Sequence, residues 1–292
     1  MTNSPNKVSH KKHRRTLSSA IAYRLSKLAF YIAPNFMTRL MREKGFAIKP
    51  FELTDKQRDL QSQAHRYFLE FDGHKIRVFE WGNGPVILLV HGWGGRALQL
   101  DALVPQLIAK GFKVVAFDHK GHGESSTRFS SYLEIVRSTR LLVEHHANDL
   151  YGVVAHSIGA KSAFKVSEDF ERKLKLTVVA PMGDFPLWLE KLRRRIGIYE
   201  QLMNSVIRKI EEDTGLNFLE QCELDYQKIS RHDVFLVHDK FDRINKISAS
   251  HVIQENIPAA TLMQTEMLGH SRILRNSEVI EKIVAHFPLP SK

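Results

Sequence analysis

A chain of 292 residues with one cysteine, Cys222, cannot close an internal disulfide, so packing alone must hold its core. One cysteine also suits a reducing compartment, and a cytoplasmic location is expected. Long apolar runs are missing too. The best candidate near the N-terminus, residues 28–38, has eleven uncharged residues and contains Pro34, well short of the about twenty that a membrane span needs. A secretory leader is not expected, because Arg24 and Lys27 break the apolar part after Arg15 and no convincing cleavage site follows. The GK[ST] ending of a phosphate loop is absent around Asp118-x-x-Gly121-x-Gly123. Histidines cluster near turns (His91, His119, His122, His156), but acidic and cysteine partners at ligand spacing are lacking. No metal and no other cofactor is therefore expected. There is no internal repeat, and no low-complexity tract beyond the N-terminal arm.

Excess charge is also absent from most of the chain. The net charge is +11, but residues 1–49 hold eleven Lys/Arg and one acid, Glu43; the rest carries 32 basic and 31 acidic side chains. A nucleic-acid-binding body is excluded on that balance. The chain divides into a basic N-terminal arm with an amphipathic helix, residues 1–60, and a body, residues 61–292. Residues 1–13 are polar, basic and without period, and are expected to be disordered. Leu17, Ile21, Leu25, Leu28 and Ile32 then recur at helical spacing. Pro34 should end that helix, and a shorter one is expected from Phe36 to Lys44. Two readings stay open: a peripheral contact of residues 14–44 with an anionic membrane, or a helix whose apolar stripe faces the body while its charges meet solvent. The second is expected.

The body alternates strands and helices. Tyr67–Phe71 and Lys75–Trp81 flank Asp72-Gly73, the pattern of an antiparallel hairpin. The continuous apolar run 86–90 reads as a strand covered on both faces, 114–117 as the next buried strand, and 153–155, 176–180, 234–238 and a stretch near 261–264 as further strands. Helices are expected at 98–110, from a Ser131/Glu134 capping box to about 146, after residue 160, around 247–256 and at 277–286. The pair His145-His146 is expected on a helix surface. Residues 183–231 break the rhythm with a helical pattern and read as an inserted helical lid. There Trp188, Leu202 and Ile210 line an acyl pocket or, as expected, form the lid's own core. The result is an α/β fold with a mostly parallel sheet and helices on both faces.

The run Val153-Val-Ala-His-Ser157-Ile-Gly159-Ala stops a strand at a serine flanked by small residues, with a helix-compatible run beyond. Such a turn lifts a serine hydroxyl above the sheet edge, although a buried structural serine fits the same short pattern. A serine needs a base in contact and a third group orienting that base. The chain supplies an acid, Asp239 or Asp242, after the strand at 234–238, and then His270 before the last helix, in the order Ser…Asp…His.

From about residue 65 onward the chain resembles the α/β-hydrolase fold family, in its serine esterase/lipase-like branch. HGWGG at 91–95, FDHKGHGES at 117–125, AHSIG at 155–159, and HDKFD at 238–242 with GHSRIL at 269–274 carry the likeness, each at a predicted strand end. Ala155 and Asp239 stand where the family usually has glycine. The resemblance implies Ser157 as nucleophile, His270 as general base and Asp242 as acid, with Asp239 sharing or taking that role as an alternative and Asp184 as a remoter one. It implies the backbone amides of Trp93 and Ile158 as oxyanion donors, and Asp118, Gly121 and Gly123 as structural. The expected activity is cleavage of a small-molecule carboxylic ester or thioester through an acyl-enzyme. Alternatives are C–C bond hydrolysis, lyase or peptidase chemistry, or a non-catalytic membrane-associated module. Oligomeric state is not legible.

Overall fold

Val86–Val90 is five apolar residues in a row, all buried, and the alternation of a strand sends them to two different cores. Val86, Leu88 and Val90 join one cluster; Ile87 and Leu89 join the other. The neighbouring strand divides the same way, Val115 and Phe117 on one side and Val114 and Ala116 on the other. Helix Tyr132–His145 and helix Ile158–Ser167 cover the first face through residues such as Ile135, Val136 and Phe164. Leu103, Val104 and Leu107, with Ile280 and Ile283 of the last helix, cover the second. Full burial of each such side chain contributes about 1.5–3 kcal/mol, so the two-sided sheet is where the stability lies.

The computed structural model of the protein describes residues 16–49 and 52–289. Its sheet has eight strands: β1 His65–Phe71, β2 His74–Trp81, β3 Val86–Val90, β4 Lys113–Phe117, β5 Leu150–His156, β6 Lys175–Val179, β7 Asp233–Asp239 and β8 Thr261–Thr265. Their order is β1-β2-β4-β3-β5-β6-β7-β8. β1 and β2 form the expected hairpin, with Asp72 and Gly73 both at positive φ, and β2 also runs antiparallel to β4; all later pairings are parallel. Order reverses at β3, whose neighbours β4 and β5 lie on opposite sides, and the crevice at the strands' carboxyl ends opens there.

The expected elements are present, with local differences. Residues 98–110 are not one helix but a 3₁₀ stretch, Ala97–Leu103, itself kinked at Leu100, followed by helix Val104–Ala109. Only half of the 131/134 capping box forms: Ser131 Oγ accepts from the Glu134 amide, while the Glu134 carboxylate is taken by Lys120 Nζ at 2.6 Å. His146 is buried rather than on the surface, near Glu80 and Asp149. The reading of residues 1–13 lies outside the described residues.

Residues 183–231 carry helices Phe185–Ile196, Glu200–Thr214, Phe218–Cys222 and Tyr226–Ile229, inserted between β6 and β7. Leu202 is buried and Ile210 half-buried in the main core, as expected of core positions, whereas Trp188 is exposed and lines a cavity. Helix Leu17–Ile32 packs on this insertion. Tyr23 Oη donates to Glu200 Oε1 (3.1 Å), and Ser26 Oγ accepts from the Tyr199 amide (3.0 Å). Gly197 stands at φ +77°, where a Cβ would lie 2.2 Å from the Ser19 carbonyl oxygen, so glycine sets how closely the helix approaches. The expected orientation is overturned. Leu17, Ile21, Leu25, Leu28 and Ile32 are 51–80 % exposed, and the docked face is the opposite one, built from Ser19, Tyr23, Ser26 and Phe30. The Tyr23 hydroxyl meets a side chain of the insertion and Ser26 meets its backbone, through the Gly197 carbonyl and the Tyr199 amide, which the leucine stripe has no atoms to do. No helix among the described residues is long and apolar enough to cross a membrane.

Candidate active site

Ser157 sits between β5 and helix Ile158–Ser167 at φ 59°, ψ −123°, a conformation that L-residues rarely hold without support. The support is local. Its amide donates to the Val179 carbonyl at 3.0 Å, and Gly159 leaves room for the His91 carbonyl, which a Cβ would approach to 2.3 Å. Ala155 fits in the glycine position of the usual pattern because it lies within the buried β5, paired with Val90 and Val178.

Three side chains from three separate segments meet here. His270 Nε2 is 3.1 Å from Ser157 Oγ, and its Nδ1 is 2.7 Å from Asp242 Oδ2. Nδ1–H then donates to the carboxylate and Nε2 accepts the serine proton, the tautomer that the hydrogen bonds assign. His270 is in the first turn of a four-residue helix, Gly269–Arg272, rather than in an open loop. Asp242 Oδ1 accepts from the Ile244 and Asn245 amides at 2.7 and 3.0 Å. Burial alone would raise its carboxyl, but hydrogen bonding to His238 and His270 and the Asn245 amide outweighs that and holds it well below the usual carboxylate range. It is the ionised partner of the group.

Asp239 does not touch the His270 ring. Its Oδ1 accepts from the Phe241 amide and its Oδ2 from Thr265 Oγ1 and the Leu268 amide, each at 2.9 Å, so it ties down the segment that leads into His270. Asp184 is also elsewhere: its Oδ1 caps helix Phe185–Ile196 through the Leu187 amide.

The loop after β3 packs directly on the nucleophile, with a Cβ built on Gly92 falling 3.0 Å from Ser157 Cβ. Its other amides are engaged, Gly92 N–H with Gln99 Oε1 (2.9 Å) and Gly94 N–H with His122 Nε2 (3.2 Å). The Trp93 amide has no acceptor among the described residues. Ile158, first residue of its helix, has an amide with no intrahelical acceptor. His91, His119 and His122 form a buried, mutually packed trio rather than a ligand set. Burial pushes His91 and His122 down to about 3, so both rings are neutral donors and acceptors that brace the loop. Asp118 is structural as expected, its oxygens accepting from the Ala97 and Glu124 amides.

Two contacts carry no sequence signal. Asn245 Nδ2 donates to Ser157 Oγ (3.3 Å) and to the Ala180 carbonyl (2.9 Å). His156 Nε2 lies 3.0 Å from the His270 carbonyl. Both join residues far apart in the chain, which no local pattern encodes. Asn245 also lines a cavity of about 810 Å³ between the sheet edge and the helical insertion, walled by Phe164, Met182, Trp188 and Val252.

Residues 85–221 match the family model described as alpha/beta hydrolase fold. The chain is 31 % identical over 102 residues to a bifunctional esterase/perhydrolase of Acinetobacter calcoaceticus, covering 34 % of this chain and 33 % of that protein. It is 32 % identical over 85 residues to a non-heme haloperoxidase of Rhodococcus erythropolis, covering 29 % and 28 %. The matched stretch therefore spans about a third or less of these curated relatives' length. Among solved structures, a putative lipase from Acinetobacter baumannii AYE superposes with a TM-score of 0.59 at 18 % identity, covering 81 % of this chain and 96 % of that one. At that identity the likeness concerns the fold.

Proposed function

Because the chain belongs to the α/β-hydrolase fold family and matches hydrolases within it, we propose that it is a serine hydrolase cleaving a carboxylic ester, or a thioester, through an acyl-enzyme. The observation that carries this reading is one imidazole bridging Ser157 Oγ and the Asp242 carboxylate. Ser157 attacks the carbonyl carbon while His270 takes its proton, and Asp242 stabilises the imidazolium that forms. The Trp93 and Ile158 amides hold the developing oxyanion, each worth about 3 kcal/mol of barrier. His270 returns the proton to the leaving oxygen or sulfur; water, deprotonated by the same ring, then releases the acid. Asn245, donating to the serine oxygen, holds it in place before attack. The helical insertion caps the cavity in which the substrate's remainder lies.

A fluorophosphonate probe tests this. The whole chain should be labelled at Ser157 and should turn over esters, and Ser157→Ala should abolish both. A folded wild-type protein that neither reacts with the probe nor cleaves any ester would remove the proposal. Panels of thioesters, amides and diketones run beside the esters separate the neighbouring chemistries of the fold.

We further propose that helix Leu17–Ile32 rests on an anionic lipid surface. Its outward stripe of five large apolar residues is continued by exposed Phe36 on the next helix, and Arg24 and Lys27 are exposed on the same helix. The eleven basic residues of positions 1–49 add attraction of about 1 kcal/mol for each that reaches the headgroups. That charge complementarity favours a bilayer over a neutral protein partner.

A further inference from the structure

One turn beyond the nucleophile, the same helix carries a cation that the proposed reaction does not use. Lys161 is four residues after Ser157, within helix Ile158–Ser167 that the nucleophile precedes. It is 5 % exposed and forms part of the wall of the 810 Å³ cavity. Buried lysines are almost always paired. The other buried lysine among the described residues, Lys120, follows that rule, with Glu134 at 2.6 Å. Lys161 has no such carboxylate among the described residues.

The same cavity wall also carries Asp184, Glu223, Lys191 and Lys246. On its own helix Lys165 pairs with Glu168 at 2.8 Å. From the insertion, the Asp184 carboxylate caps the Leu187 amide; it attracts the Lys161 ammonium without forming an ion pair with it. The Cys222 thiol on helix Phe218–Cys222 is pushed up to about 12, chiefly by burial, and so is no counter-ion at neutral pH. Burial is also the main influence on Lys161 itself and lowers its ammonium from the ordinary lysine value. An ammonium held out of water without a partner is unfavourable, and an incoming anion reverses that.

We propose that Lys161 is an anion-binding subsite of the cavity, and that the substrate is an ester whose portion under the helical insertion carries an oxyanion, a carboxylate or a phosphate. The orientation of that ester, though not the binding of its anion, rests on the serine-hydrolase reading. A charge-assisted hydrogen bond in a site screened from water is strong enough to set substrate preference. The apolar wall formed by Phe164, Met182 and Val252 would carry the chain between ester and anion.

The test compares monomethyl suberate with methyl octanoate, of equal chain length, on the whole protein. The suberate ester should have the higher kcat/KM. Lys161→Met should lower the suberate/octanoate ratio by about ten- to a hundredfold, and Lys161→Arg should restore part of it. Calorimetric titration of Ser157→Ala, with and without Lys161→Met, reads the same factor as affinity without turnover, and a phosphonate-terminated ester of the same length distinguishes the two anions. Equal handling of charged and neutral esters by the unmutated protein, or a parallel loss of both in Lys161→Met, overturns the inference while leaving the hydrolase reading intact. Absence of all turnover defeats the hydrolase reading instead, and the titrations still decide whether Lys161 binds the anion. Should Lys161→Met fail to fold, the charged-against-neutral comparison on the wild type and on Lys161→Arg decides the matter.

Discussion

His156, the residue before the proposed nucleophile, reaches across to the backbone of the proposed base: its Nε2 lies 3.0 Å from the His270 carbonyl, and the two rings are 4.6 Å apart. Burial above all pushes His156 down to about 3, so the ring is neutral and donates through Nε2–H. His156→Leu should lower kcat about fivefold, as a lost neutral hydrogen bond of about 1 kcal/mol implies, and slow fluorophosphonate labelling in proportion. His156→Gln, which keeps a donor, should recover part of the rate. Equal losses in both variants would assign His156 to packing alone.

Asp239 and Asp242 should separate cleanly. Asp242→Asn should reduce kcat by about 10³- to 10⁴-fold, by analogy with the measured loss when a triad aspartate becomes asparagine. Asp239→Asn should instead lower thermal stability, by about 1–3 kcal/mol for its broken contacts with the segment before His270. Measured kcat beside melting temperature distinguishes them. An Asp239 variant as inactive as the Asp242 variant, yet fully stable, would move the acid role.

Acid should destabilise the fold in two stages. His91, His122 and His156 have folded values of about 3, far below the free-histidine value near 6.5, so between those limits the unfolded chain binds more protons. Stability then falls as pH drops below about 6.5, by roughly 1.4 kcal/mol per histidine per pH unit. Asp242 acts lower down. Its depressed carboxyl favours the folded state above the unfolded value near 4, and that contribution fades as pH falls through the folded value. Denaturant melts at pH 7.5, 6 and 5 test the first stage, and a flat profile would contradict neutral buried rings.

Liposome co-sedimentation tests the outward stripe. Binding to anionic vesicles should exceed binding to neutral ones and weaken with salt. Leu25→Asp combined with Leu28→Asp should reduce binding about tenfold or more, because two charges then stand on the face that meets the lipid. The docked face of Tyr23 and Ser26 is untouched by that change, so the helix should stay in place. Sedimentation velocity in the same buffers reports the rival outcome, in which the stripe is covered by a second copy of the chain.

How far the sequence carries depends on the range of the interaction concerned. Local chemistry placed all eight strands, since apolar runs and the Asp72-Gly73 turn act within a few residues, and it located Ser157 at a strand-to-helix turn. For the acid it left Asp242 and Asp239, three positions apart, with Asp184 as a remoter third. Which of them reaches His270 depended on the bend after β7, which aims Asp242 at His270 and turns Asp239 toward Thr265 and Leu268. The capping box failed for a similar reason: Lys120, fourteen residues away, offered the Glu134 carboxylate a charge, and a buried ion pair outweighs a bond to an amide.

The set of elements and the residue types at their ends follow from short segments, because hydrophobic period and turn preference are local properties. Which faces are covered, and which polar groups lack partners, came from how distant segments pack together. The Leu17–Ile32 stripe points outward because the opposite face offers hydroxyls to the insertion, and Lys161 stands alone because the carboxylates near it are engaged elsewhere. A periodicity says that a helix has two sides, and an ammonium says that it wants an anion. Neither contains the distance to whatever the rest of the chain brings alongside.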